Sequence, residues 1–203
     1  MTHLDKYKLS PLANVVDIET HGKREDAIIA TIGCTTINMF TSEIIGQFYC
    51  RCKTEDQVRR TWNKDVMDFW DEQKEKSPEA FAEVFDTKLS RLPLKQALEQ
   101  FSAFLREVNP VGKRINVFGN GPEFDNVILS HAYDSEGVKS AWHYGENQSI
   151  KTAMLFGRLL ADCDPRKAVP FEGVRHHAKW DSQHEALVLA NIVQVFSHSR
   201  LES

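Results

Sequence analysis

Apolar positions fall into short β-branched runs early in the chain and into helical stripes later. Residues 13–19, Ala-Asn-Val-Val-Asp-Ile-Glu, read as a first strand, and residues 27–38 as a second with Gly33 as a candidate bulge. Residues 46–52 read as a third. The polar stretch Gly22–Asp26 joins the first two as a turn, so an antiparallel meander is expected. The period then lengthens. Trp62, Val66, Phe69 and Trp70 keep 3.6-residue spacing, and Ser77-Pro78-Glu79 offers an N-cap followed by proline at the first helical position. Leu94, Ala97, Leu98, Phe101, Phe104, Leu105 and Val108 form the cleanest amphipathic stripe, which stops at Asn109-Pro110. Residues 115–118 predict a short buried strand, broken by Gly119-Asn120-Gly121-Pro122. A helix carrying Phe124, Val127, Ile128 and His131 follows. Residues 151–160 predict another, and residues 181–197 a last one, apolar almost all round and hence buried. The sum is one α/β domain over residues 1–203, a mixed five-stranded sheet flanked by helices.

Composition narrows the class. With 27% charged and 41% hydrophobic residues, the chain is an ordinary globular one. It has no apolar run of about 18 residues and no signal-peptide core, so a cytoplasmic protein without a membrane partner is expected. Cys34, Cys50, Cys52 and Cys163 lack ligand or disulfide spacing and read as buried or half-buried thiols of a reducing compartment. A net charge of −4 argues against a basic surface gripping long nucleic acid, though not against an enzyme holding a few nucleotides.

The chemistry lies in three segments. Asp17 and Glu19 alternate on the first strand and so project to one face. Held that close and buried unpaired, they would repel at a cost of several kcal/mol, which hard divalent cations relieve. Asp125 falls in the first turn of its helix, where a capping acid is the plain alternative. Asp181, at a helix start, completes a set of four acids, with His176 and His177 just before it. Hydrolysis of a phosphodiester by two metals needs one cation to activate water and another at the leaving oxygen. Asp17 could bridge both ions, with Glu19, Asp125 and Asp181 completing the shells. A histidine is a poor Mg²⁺ ligand but a good base near neutral pH, so His176 or His177 would take the proton of the attacking water.

Asp-x-Glu, a helical Asp and His-x-x-x-x-Asp, in that order, resemble the DEDDh superfamily of 3′–5′ exonucleases, of the proofreading-subunit class. The likeness spans roughly residues 13–195. More narrowly, the chain is similar to small single-domain exonucleases of phages and bacteria, through His21-Gly22, Phe69-Trp70 and Gly119-Asn120-Gly121. The resemblance implies an RNase H-like fold, two Mg²⁺ or Mn²⁺ ions, release of nucleoside 5′-monophosphates, and a bacterial or phage-infected cytoplasm. It implies His176 as the base by spacing, although His177, four residues before Asp181, would face that acid better on a regular helix. Thr20, Asn120 and Phe124 are implied beside the terminal nucleotide. Phe69 and Trp70 either wedge against the nucleotides or pack as core. Trp180-Asp181 departs from the paired aspartates common in these proteins. DNA is favoured as substrate on the likeness to phage enzymes. An RNA-trimming enzyme, a non-catalytic nucleic-acid-binding protein of the same fold and a nucleotidase are the alternatives. A homodimer occurs in parts of the superfamily, but no interface signature is visible in this chain.

Overall fold

Strand β1 (Leu12–Thr20) lies at the middle of the sheet in the computed structural model, which describes residues 3–161 and 164–199. It follows a short helix, α1 (His3–Lys6), and is succeeded by β2 (Ile29–Asn38) and β3 (Ile44–Arg51). Helices α2 (Lys64–Lys76), α3 (Pro78–Phe85) and α4 (Leu94–Val108) come next. Then follow β4 (Val117–Gly119), α5 (Asp125–Glu136), β5 (Asn147–Ser149) and α6 (Ile150–Ala161). The short α7 (Pro165–Ala168) and the long α8 (Ala178–Ser199) end the fold. The sheet order is β3-β2-β1-β4-β5. β1, β2 and β3 pair antiparallel, as the meander requires, while β4 and β5 run parallel to β1.

Alternation along β1 divides the core. Val16 and Ile18 pack with Phe101, Leu105, Ile128 and Leu129 of α4 and α5. Ala13 and Val15 face the other way, against Ile150 and Met154 of α6 and Ala186 and Leu189 of α8. A smaller cluster seats α2 and α3 on β2 through Ala30, Trp70, Ala80 and Val84. Every residue of 177–197 is buried or half-buried, as the apolar pattern of that helix predicts.

Four expectations need correction. Gly33 is not a bulge, because the β1–β2 register runs unbroken through Asp17↔Gly33 and shifts only near Thr20. Its missing side chain has another reason: a Cβ there would lie 2.2 Å from the Ala178 carbonyl oxygen, so the start of α8 rests directly on the strand. β4 continues through Gly119 instead of ending before it. A Cβ at Gly119 would lie 2.5 Å from Asn126 Oδ1, so glycine lets α5 close on the strand end. Trp62 precedes α2 and is exposed, outside the helical stripe of Val66, Phe69 and Trp70. β5 has no counterpart in the sequence reading, since Asn-Gln-Ser carries no strand pattern. Its pairing with β4 is reinforced by the Asn147 side chain, which accepts from Asn126 Nδ2 and Trp142 Nε1. Cys34, Cys50 and Cys52 are buried free thiols, and Cys163 lies outside the described residues.

Candidate active site

β4 pairs with β1 only at Asn14 and Val15, so the C-terminal half of β1 runs on into a crevice with no neighbour on that side. Crevices of this kind, beyond the carboxyl ends of strands, are where open α/β sheets gather ligands. Burial changes accordingly, from five consecutive buried residues (Leu12–Val16) to an alternation in which Asp17 and Glu19 emerge. The Ile18 N–H points into the gap and donates to Asp125 Oδ1 at 3.2 Å, so Asp125 stands in for the missing strand. Asp125 is 3% exposed and opens α5. From the opposite side, α8 brings Asp181. One carboxylate oxygen each from Asp17, Glu19 and Asp181 lie within 4.8 Å of one another. The four acids singled out by sequence, with His176, line one cavity of about 520 Å³.

A fifth acid, which the motif spacing does not single out, lines the same cavity. Glu185 lies one turn beyond Asp181 on α8, and its Oε2 is buried without a hydrogen-bond partner. Its signal in the sequence was the i, i+4 spacing from Asp181 together with a carboxylate abutting the apolar run Ala186–Val193. Burial raises the Asp17 carboxyl well above the usual range, and the charges of Glu19, Asp125, Glu185 and Asp181 push it further. Glu19 is raised by burial and by Asp181 and Asp125. Burial lifts Asp125 to about 7 against the lowering effect of its backbone hydrogen bonds, and lifts Asp181 as well. Glu185, buried beside Asp125 and Asp181, reaches about 8. Among the described residues, none of these five carboxylates joins a salt bridge. Crowded oxygen donors without a direct ion-pair partner, one of them orphaned, fit hard divalent cations. The residues present therefore suit a metal centre.

The two histidines diverge. His176 is exposed, lines the cavity and meets the Phe69 ring edge-on at 5.1 Å. Its backbone is left-handed, φ 62°. His177 turns away, its ring 4.7 Å from Tyr49 and its Nε2 3.9 Å from Glu83 Oε2. Its Nδ1 accepts from Lys179 N at 3.3 Å, which caps α8. The geometry brings His176, not His177, to the acids.

Around the rim, Lys151, Arg166 and Arg175 place positive charge on the same cavity, and sequence reading missed all three. Asn120 lines it too, its carbonyl accepting from Lys151 N and its Oδ1 from Arg166 at 3.4 Å. Phe124 stands between this cavity and a second, less polar one that Thr20, Phe69 and Trp70 also line. Thr20 is buried, its hydroxyl donating to the Gly22 carbonyl at 2.6 Å. Trp70 is 1% exposed and donates its indole N–H to the Thr20 carbonyl. Of the paired aromatics, Trp70 is therefore the core residue and Phe69 the one that offers a ring to solvent.

Comparison with solved structures gives the same architecture. The nuclease domain of 3′hExo, described as a DEDDh family member and bound to rAMP, matches with TM-score 0.63 at 12% identity, over 91% of this chain and 92% of that one. Cell-death related nuclease 4 matches with TM-score 0.61 at 15% identity, over 90% and 64%. E. coli exonuclease I in complex with a dT13 oligonucleotide matches with TM-score 0.61 at 10% identity, over 94% of this chain and 42% of that one. Identities this low establish likeness of fold alone. No curated protein matches by sequence. A family model described as "3'-5' exoribonuclease Rv2179c-like domain" matches residues 13–193. By that match, over residues 13–193, the chain belongs to the 3′–5′ exoribonuclease Rv2179c-like family.

Proposed function

We propose that the protein is a Mg²⁺- or Mn²⁺-dependent 3′–5′ exonuclease that trims RNA ends and releases nucleoside 5′-monophosphates. The observation that carries this reading is the cluster of Asp17, Glu19 and Asp181 oxygens within 4.8 Å, facing His176 across one cavity. Asp17, Glu19, Asp125 and Asp181 would hold a pair of cations, which supply Lewis-acid activation of water and neutralise charge at the leaving oxygen. His176 takes the proton of the attacking water on a ring nitrogen, and its exposure lets that proton leave to solvent. Lys151, Arg166 and Arg175 offset the negative charge of the phosphodiester. Phe124 and Phe69 offer ring faces and edges to the terminal bases, where stacking contributes roughly 1–3 kcal/mol per base. Asn120 and the backbone beyond Glu19 would lie along the terminal nucleotide. Trp70 and Thr20 would act on the substrate through the wall they form.

RNA is favoured over the DNA expected from phage-like resemblance because the matching family is described by exoribonuclease activity. Two structural neighbours were solved with opposite sugars, rAMP and dT13, so the fold itself is neutral on this point. The test is a side-by-side digestion of matched 5′-labelled RNA and DNA strands, with and without EDTA. Stepwise shortening of RNA from the 3′ end, mononucleotide products and complete inhibition by EDTA are expected. Faster DNA trimming overturns the choice of sugar. Cutting of a circular strand overturns the exonuclease reading.

A further inference from the structure

Outside the two cavities described above, four side chains from three elements meet. Glu83 on α3 accepts from Tyr49 Oη at 2.5 Å and from Arg51 twice, at 2.5 Å through Nε and 2.9 Å through Nη2. Burial alone would raise its carboxyl, but the Arg51 and Tyr49 hydrogen bonds prevail and hold it below the usual range, hence ionised. Glu83 and Tyr49 form the seat on which the His177 ring rests. Because Nδ1 of His177 accepts from Lys179 N, its neutral form carries the proton on Nε2, the atom nearest Glu83. The ring is thus hydrogen-bonded at Nδ1, with its Nε2 edge 3.9 Å from the Glu83 carboxylate.

Its backbone does the rest. His177 N donates to Asp181 Oδ2 at 3.0 Å, fixing one oxygen of an acid in the three-carboxylate cluster. The His177 carbonyl accepts from Trp180 N and Asp181 N, which starts α8. The preceding residue is His176 in its left-handed conformation. Left-handed backbone on a residue with a Cβ persists only when its surroundings over-determine it. Upstream, the Arg175 carbonyl accepts from Ser77 Oγ at 3.2 Å. One residue therefore links the acid and the base: moving His177 would move both.

We propose that His177 is a positioning residue, and that Glu83, held by Arg51 and Tyr49, fixes it so that the Asp181 carboxylate and the His176 ring are set together. This rests on the reading above that Asp181 holds metal and His176 takes the proton. Glu83 and His177 lie outside both cavities and the acid cluster, so their loss should lower turnover and leave substrate capture alone.

The test uses the full chain, Mn²⁺ and a 5′-labelled RNA strand. Glu83→Ala and His177→Asn should each lower kcat roughly 10–100-fold, the range for groups that orient metal ligands, with KM changed by no more than about twofold. Asn can still cap α8 but cannot reach Glu83. Acting along one path, the two changes together should cost no more than the larger alone. Glu83→Gln, which keeps the acceptor oxygen, should restore most of the rate. In a separate readout, the Mn²⁺ concentration that half-saturates the thermal shift should rise in the same order. Unchanged kcat in folded Glu83→Ala or His177→Asn, a loss confined to KM, or additive losses overturn the proposal. If Glu83→Ala does not fold, His177→Asn decides: a kcat loss at constant KM supports the proposal, and an unchanged kcat overturns it. If the wild type releases no mononucleotides, the proposed function fails. The Mn²⁺ titration then judges the positioning role of His177 and Glu83 by itself: a shift supports it, and equal midpoints overturn it.

Discussion

The two walls of the cleft are fixed in opposite ways. On the sheet side, Asp17 and Glu19 sit on a central strand laddered to β2, and Asp125 is hydrogen-bonded back to that strand. On the helix side, His176 sits at the end of an exposed segment, in left-handed backbone, held by tethers from α2–α3 and α8. The acids need a spacing set to fractions of an ångström, which a sheet interior supplies. A histidine acting as base, as proposed for His176, must exchange its proton with solvent, which favours a surface loop on a rigid frame. The difference teaches that, on the proposed reading, charge placement and proton traffic fall to different walls, each on the kind of backbone suited to it.

The comparison is broken most severely from the sheet side. Asp17→Asn and Asp125→Asn keep the shape of the side chain, and the amide oxygen introduced by Asp125→Asn could still accept from Ile18 N. Each should nonetheless lose on the order of 10³-fold or more in kcat/KM, since several kcal/mol of metal stabilisation depends on the charge. His176→Ala should lose on the order of 10²–10⁴-fold while keeping the Mn²⁺-induced thermal shift of wild type. Loss of that shift in His176→Ala, or its retention in Asp17→Asn, would merge the two walls into one function. Kinetics beside a metal titration reads both.

A smaller effect sharpens the contrast without substrate. Carboxyls raised above their unfolded value of about 4 stabilise the fold while protonated, and that contribution is lost as pH rises through their folded values. For Asp125 and Glu185 these are about 7 and about 8. The Tm of the metal-free protein should therefore fall between about pH 4 and pH 8, and excess Mg²⁺ should flatten the fall at the upper end. A metal-free Tm that climbs over this window contradicts the crowding of the acids. The smallest effect is that of Trp70→Phe, which removes the indole donor to the Thr20 carbonyl and should cost about 1 kcal/mol in a denaturant titration, with mononucleotide release nearly unchanged.

Much of this was legible in the sequence, and the remainder has physical reasons for its silence. The strands around Val15-Val16 and Ile28–Ile32 carried β-branched runs, and the α4 stripe kept its period because one face meets the sheet. Asp17, Glu19, Asp125 and Asp181 could be found because each stands at an element end. Glu185 was passed over because its one signal, the i, i+4 spacing from Asp181, lies within a helix, where spacing alone does not show which acid faces a partner from another element. Lys151, Arg166 and Arg175 come from three separate segments and converge only after folding. β5 consists of polar residues drawn into the sheet by their neighbours. His177 reads as a rival base because spacing along a helix is applied to residues that precede the helix, where the left-handed turn at His176 sends the two rings apart.

Gly33 gauges the distance between the two walls. The helix that carries Asp181 and Glu185 descends onto β2 beside Asp17 until its first carbonyl meets bare backbone, where even a methyl group would be 2.2 Å from Ala178 oxygen. A side chain at that position would act as a shim. It would lift the end of α8 by at least roughly 1 Å, a misplacement large enough to cost about 10²-fold in rate, with every acid and histidine still present. The tolerance of the proposed metal centre is thus written into a strand residue outside the acid cluster, and a chain carrying a larger residue there would have to bring α8 in along another line.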